Sequence, residues 1–258
     1  RIQSDLPERA QSPSIYELNE STSRPLLTLA LSAGEKSVKS LRDIRLLAEN
    51  QIMLATRAQV RAIFQNGDVA SDTREARVLN TLAERFRVDG DLNSQTFRNT
   101  LLRRIDAVPP SMAMAQAANE SGWGRSRFAK QANNLFGVWT WDPEQGLRPE
   151  RRAEGASHFV RVFPNLRASV RNYLYTINIG SAYEPLRQRR AEFRDRGKGV
   201  SGIQLAQGLE RYSERGAAYV EEIQGMIRTN DLDEIGLPEL RKVEATRLIE
   251  PSDSEVQQ

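Results

Sequence analysis

Between Leu26 and about Phe64, apolar residues recur at three- and four-residue steps, Leu41, Ile44, Leu47 and Leu54 among them, with arginines in between. That period predicts an amphipathic helix, which the Asn66-Gly67-Asp68 turn ends. Asp72 or Thr73 offers a cap for a second helix, with Val78, Leu79, Leu82 and Phe86 on its buried face. The DGDLNS segment at 89–94 breaks the pattern again. Ser94 then caps a third helix through Phe97, Leu101, Leu102 and Ile105. Val108-Pro109-Pro110-Ser111 is a sharp stop. MAMAQAANES follows as a central helix, rich enough in alanine for neighbours to approach its backbone. Ser111 is its candidate cap, and Gly122 and Gly124 close it.

A short helix is expected from about Ser126 to Gln131. LFGVWTW and HFVRVF each alternate in the manner of strands, which predicts a β-hairpin with a long charged tip. Asn165 or Ser169 starts a further helix with Val170, Tyr173, Leu174 and Ile177 on one face. More helices are expected around 182–194, 201–211 and 216–229. The fold class is therefore α+β, mostly α, with a small β-hairpin lobe. Four regions follow along the chain. Residues 1–25 form a lead-in with Pro7, Pro13 and Pro25, read as flexible. Residues 26–105 form an N-terminal helical extension, residues 106–232 the main domain, and residues 233–258 a charged tail.

Composition narrows the function. The chain has 258 residues, long enough to bury a sizeable core. Its mean hydropathy is −0.58, and no apolar run is long enough to span a membrane. Cysteine is absent, which excludes disulfides, thiolate metal sites and a cysteine nucleophile. The lone histidine, His158, cannot build a multi-histidine metal site, and no GxSxG elbow accompanies it for a serine triad. It reads as an ordinary strand or surface residue. The 37 basic and 34 acidic residues leave a net charge of +3. No motif that reads nucleic acid is present, so nucleic acid is not an expected partner.

The segment AQAANESGWGRSRFAKQANNLFGVW, 115–139, carries the chemistry. Glu120 lies at the end of the central helix, four residues after Gln116 and on the same face. The negative end of the helix dipole and partial burial against Trp123 or Phe136 are expected to favour its protonated form. A carboxylic acid that keeps its proton near neutrality is what glycosidic cleavage needs. Trp123, Trp139 and Trp141 offer flat faces for sugar rings, or else belong to the core. Asn133 and Asn134 are placed to bond a substrate's acetamido or hydroxyl groups, or else to satisfy loop backbone.

These residues resemble the glucosaminidase domain of glycoside hydrolase family 73, in particular its Bax-like bacterial branch. AQAANESGWG, the alanine-containing short helix and NNLFG carry the resemblance. VPPS before them and Tyr212-Ser213 with the later Tyr219 agree with it. It covers about 105 to 231 and implies a lysozyme-like fold for the main domain. It also implies an endo-β-N-acetylglucosaminidase that hydrolyses the β-1,4 bond on the reducing side of N-acetylglucosamine in peptidoglycan. By position Glu120 is the general acid. Tyr212 or Tyr219 corresponds to the family's active-site tyrosine; Tyr212 is taken as catalytic, and Tyr219, Gln116, Trp123, Asn133, Asn134 and Trp139 as substrate-binding. The second carboxylate is expected on the hairpin, among Glu144, Glu150 and Glu154, with Glu154 favoured. Inverting, retaining and substrate-assisted routes all stay open. A lytic transglycosylase and a non-catalytic wall-binding protein are the alternatives. No metal or organic cofactor is implied, and the expected partners are peptidoglycan glycan strands. No oligomeric state is specified. The expected location is the periplasm or cell envelope, reached by a leader that the sequence as it stands, opening on Arg1, does not show.

Overall fold

A computed structural model describes residues 46–150, 155 and 157–234. The lead-in, the stretch 26–45 with Leu41 and Ile44, Glu154 and the charged tail from 235 onward lie outside the described residues.

Three helices form the N-terminal extension: α1 (Leu46–Gln65), α2 (Arg74–Phe86) and α3 (Gln95–Arg104). Two of them begin where local chemistry requires. Thr73 Oγ1 accepts from the Ala76 amide of α2 at 3.1 Å, and Ser94 Oγ accepts from the Phe97 amide of α3 at 3.2 Å. Val60, Ile63, Leu79, Leu82, Phe86, Phe97, Leu101 and Ile105 pack together as the core of this region. In α1 the buried stripe is rotated from the expected one. Leu47 and Leu54 are half-buried, whereas Leu46, Glu49, Asn50, Ile52, Thr56, Val60 and Ile63 face inward.

The main domain is built around α4 (Pro110–Ser121). Ser111 does not cap it. Pro109 holds the N-cap position without a side-chain bond, and Pro110 fills the first helical position, where no backbone donor is needed. Ser111 is buried instead, its hydroxyl facing Gly202. The small residues of α4 let its neighbours come close. Ala113, Ala115 and Ala117 are sealed with Val170, Tyr173 and Ile177 of α6 (Leu166–Ile179), and with Leu186 of α7 (Glu184–Asp195). Leu205 of α8 (Gly202–Leu205) and Tyr219, Ile223 and Ile227 of α9 (Ala217–Thr229) complete this core. Between α4 and α6 run the short α5 (Arg127–Ala132) and a small antiparallel sheet. Asn165 caps α6 through the Ala168 amide.

The sheet has three strands where two were expected. Its order is β1 (Trp139–Thr140), β3 (Phe159–Arg161), β2 (Gly146–Leu147). Trp139 pairs with Val160 and Gly146 with Arg161. The extra strand is two residues long, too short to leave a period in the sequence.

The extension is fastened to the main domain by buried polar contacts. Glu49 of α1 accepts from Arg167 at 2.5 Å and Arg171 at 2.9 Å, both on α6. Asn50 bonds both the amide and the carbonyl of Val108, just before α4. Asp106, almost fully buried, receives both ends of the Arg194 guanidinium, with Arg190 at 3.6 Å and Arg57 at 3.9 Å. Arg190 also donates to the carbonyls of Arg103 and Ala107 and to Asn178 Oδ1.

Candidate active site

The turn after α4 fixes Glu120. Ser121 Oγ donates to the Ala117 carbonyl at 2.5 Å and accepts from the Gly124 amide at 2.7 Å. Gly122, Trp123 and Gly124 then all adopt positive φ, at 56°, 58° and 72°. Glycine takes this conformation freely, but for a tryptophan it is strained. The chain thereby reverses within three residues, and Glu120 is left on the last turn of the helix, half-buried.

Behind Glu120 lies a sealed polar network. Tyr173 donates to Gln116 Oε1 at 2.7 Å, and Gln116 Nε2 donates to the Tyr219 hydroxyl at 3.1 Å. The Tyr219 hydroxyl also lies near enough to Glu120 to feel its charge. Gln116 and Tyr219 are both 0 % exposed. The Tyr212 ring stacks on that of Tyr219 at 5.3 Å, and its hydroxyl donates to the Phe136 carbonyl at 3.1 Å. Burial pushes the Tyr219 and Tyr183 hydroxyls far up, and the nearby Glu120 charge pushes them further. For Tyr212 burial comes first, then Tyr219 and Glu120. All three stay neutral donors at any physiological pH.

On the other side stands Gly137, at φ +64°. A Cβ there would sit 3.1 Å from Glu120 Oε2. The glycine thus leaves room beside the carboxylate where any other residue would put a methyl group.

The β lobe is anchored next to this point. The Asn134 amide accepts from the Val138 amide at 3.0 Å and donates to the carbonyls of Val138 and Arg161 at 2.9 and 2.8 Å. Both its hydrogens are therefore spent on the backbone that joins α5, β1 and β3.

Gln116, Asn134, Tyr212 and Tyr219 are buried. Asn133, half-buried in the left-handed conformation, donates to the Phe163 carbonyl at 2.9 Å. Trp123 and Trp139 are half-buried, and the His158 ring lies flat on Trp139 at 3.9 Å. Glu144 and Glu150 are exposed on the β lobe, Glu150 paired with Arg127 at 2.9 Å. The sequence reading missed Gly137, although it ends the NNLFG segment, and Tyr183, which only the fold brings near Glu120.

A carboxyl presented from a helix end, with neutral hydroxyls near it and a glycine beside it, can exchange a proton with a bound ligand. The helical body with its small flanking sheet is of the lysozyme-like class of folds. Comparison with known proteins narrows the class. The glucosaminidase family model, described as mannosyl-glycoprotein endo-beta-N-acetylglucosaminidase, matches residues 99–232. The chain belongs to this family, and its resemblance to glycoside hydrolase family 73 holds. It is also 33 % identical over 153 residues to Protein bax of Escherichia coli (strain K12), an alignment that covers 59 % of this chain and 54 % of that protein. The chain thus spans about half the length of the curated relative it matches. No solved structure matched. Among the described residues, no helix is long and apolar enough to cross a membrane.

Proposed function

We propose that the chain is a peptidoglycan-cleaving endo-β-N-acetylglucosaminidase with Glu120 as its general acid. It cuts the β-1,4 bond on the reducing side of N-acetylglucosamine. The observation that carries this reading is the setting of Glu120: a half-buried side chain at the end of α4, with the buried Tyr219 hydroxyl near it and the Gly137 backbone close beside its carboxylate. The hydroxyl orients the carboxyl from behind, and the glycine side admits the glycosidic oxygen. Family membership supports hydrolysis of bonds next to N-acetylglucosamine; peptidoglycan as the polymer, and so the periplasm or cell envelope as the location, is part of the proposal.

The second carboxylate is assigned to Glu154. Of the exposed alternatives, Glu150 is held by Arg127, which ties it to α5 rather than leaving it for water activation. Trp123 and Asn133, both half-buried, are the proposed substrate contacts.

Digestion of purified peptidoglycan tests the assignment. The parent chain should release products with N-acetylglucosamine at the new reducing end, and Glu120→Gln should release none while still binding the wall. Clearing by Glu120→Gln at the parent rate would falsify the role of Glu120. Products ending in 1,6-anhydromuramic acid would instead mark a lytic transglycosylase, since that reaction adds no water.

A further inference from the structure

The chemistry around Glu120 leaves one feature of the β lobe unused. Among the described residues, the large apolar side chains exposed to solvent are Trp141, 45 % accessible, and Val162, 38 % accessible. Both flank the same small sheet. Trp139 pairs with Val160 and Thr140 with Phe159, so the register carried one residue further puts Trp141 opposite His158. Side chains alternate along a strand and agree across a pair. Trp139 and Val160 share one face, and the register continued beyond the paired residues brings Trp141, His158 and Val162 to its edge. His158 lies flat on Trp139 at 11° between ring planes, which fixes the scaffold beside Trp141.

The strand that carries this face leaves from the candidate active site. Gly137, two residues before Trp139, borders the Glu120 carboxylate. Four residues separate Trp141 from that glycine, a reach of at most about 14 Å. That lies within the path of a polymer that continues out of the site. The apolar C–H face of a pyranose matches an indole face, and the indole N–H suits a sugar hydroxyl. A second copy of the chain fits less well, because one indole and one valine fall far short of the roughly 800 Å² per partner that a stable interface buries.

We infer that Trp141, held beside the Trp139–His158 stack, is a distal binding platform for a β-1,4-linked glycan strand running out of the cleft, so that long strands are preferred over short ones. This rests on the proposed glucosaminidase activity.

The test uses the full chain with Trp141→Ala and Trp141→Tyr, each also combined with Glu120→Gln for binding without turnover. On long, peptide-free glycan strands from peptidoglycan, Trp141→Ala should raise KM about tenfold at unchanged kcat. On the shortest oligosaccharide that the parent cleaves, both constants should change by less than about twofold. Trp141→Tyr should restore most of the affinity. In the Glu120→Gln background, co-sedimentation with long strands should weaken by the same factor. Equal losses on long and short substrates, or no loss on either, overturn the platform. If the parent cleaves neither substrate but Trp141→Ala still weakens co-sedimentation, the activity fails and the platform stands. A dimer that Trp141→Ala abolishes would give this face to a second copy and overturn the inference.

Discussion

The Tyr219 hydroxyl accepts from Gln116 Nε2 at 3.1 Å and lies close enough to Glu120 to be raised by its charge. Tyr212, seven residues earlier in the sequence, spends its proton on the Phe136 carbonyl. Its ring stacks on that of Tyr219, and both hydroxyls feel the Glu120 charge.

Tyr219→Phe should separate these roles. The change keeps the ring and its stack but removes the hydroxyl, leaving the buried Gln116 amide without its acceptor. An orphaned buried donor costs about 1–3 kcal/mol, so the melting temperature should fall modestly. The loss in kcat on peptidoglycan should be larger, about 10- to 100-fold, because the carboxyl loses the group that orients it. Tyr212→Phe should cost less activity. Equal kcat in the two variants would remove Tyr219 from its assigned place.

Gly137→Ala is expected to act on the same carboxyl from the other side. The new methyl would sit 3.1 Å from Glu120 Oε2, at a backbone φ of +64° that disfavours any side chain. The strain costs roughly 1–2 kcal/mol, and the carboxyl must shift. Steady-state kinetics should show kcat falling by more than the lost stability explains, with the fold intact by circular dichroism.

Asp106 is expected to matter for stability rather than chemistry. It lies in the segment before α4 and is surrounded by Arg57, Arg190 and Arg194. Arg190, lowered to about 10 mainly by burial, is held up in part by that carboxylate. Removing one partner of a buried charge group typically costs about 3–5 kcal/mol. For Asp106→Ala that corresponds to a melting temperature lower by roughly 10 °C. Turnover measured well below that temperature should survive. Loss of turnover with full stability would contradict this placement.

What the sequence revealed depended on how local the determinants were. Thr73 and Ser94 cap their helices through amides three residues away, and the Glu120-Ser121-Gly122-Trp123-Gly124 turn is set by neighbours in the chain. All of these could be read directly. The buried face of α1 could not, because Glu49 and Asn50 look like solvent-facing residues until α6 and Val108 supply their partners. Asn134 looked equally fit for a sugar or for backbone, and only the third strand position, occupied by Arg161, decides it. The burial of Gln116 and Tyr219 depends on α9 packing against α4, more than a hundred residues apart in the chain.

Alkaline pH offers a test of the tyrosine network that needs no substitution. Burial is the first cause raising the hydroxyls of Tyr173, Tyr183, Tyr212 and Tyr219 above the ordinary value of 10.0. Below pH 10 the folded and unfolded chains both hold these protons, so no stability difference arises. Above it the unfolded chain releases them and the folded chain does not. Stability then falls as pH rises, by up to about 1.4 kcal/mol per pH unit for each tyrosine. Arg190 works the other way, since the folded chain begins to lose its proton at about 10, before the unfolded chain at 12.5. It offsets one tyrosine of four; the downward shifts of Arg57, Arg161 and Arg187 are smaller. The melting temperature should therefore drop steeply above about pH 10, and the tyrosinate absorbance of these four residues should appear together with unfolding rather than before it. A tyrosinate signal from all the tyrosines near pH 10 in the still-folded protein would show that the hydroxyls behind Glu120 are open to water.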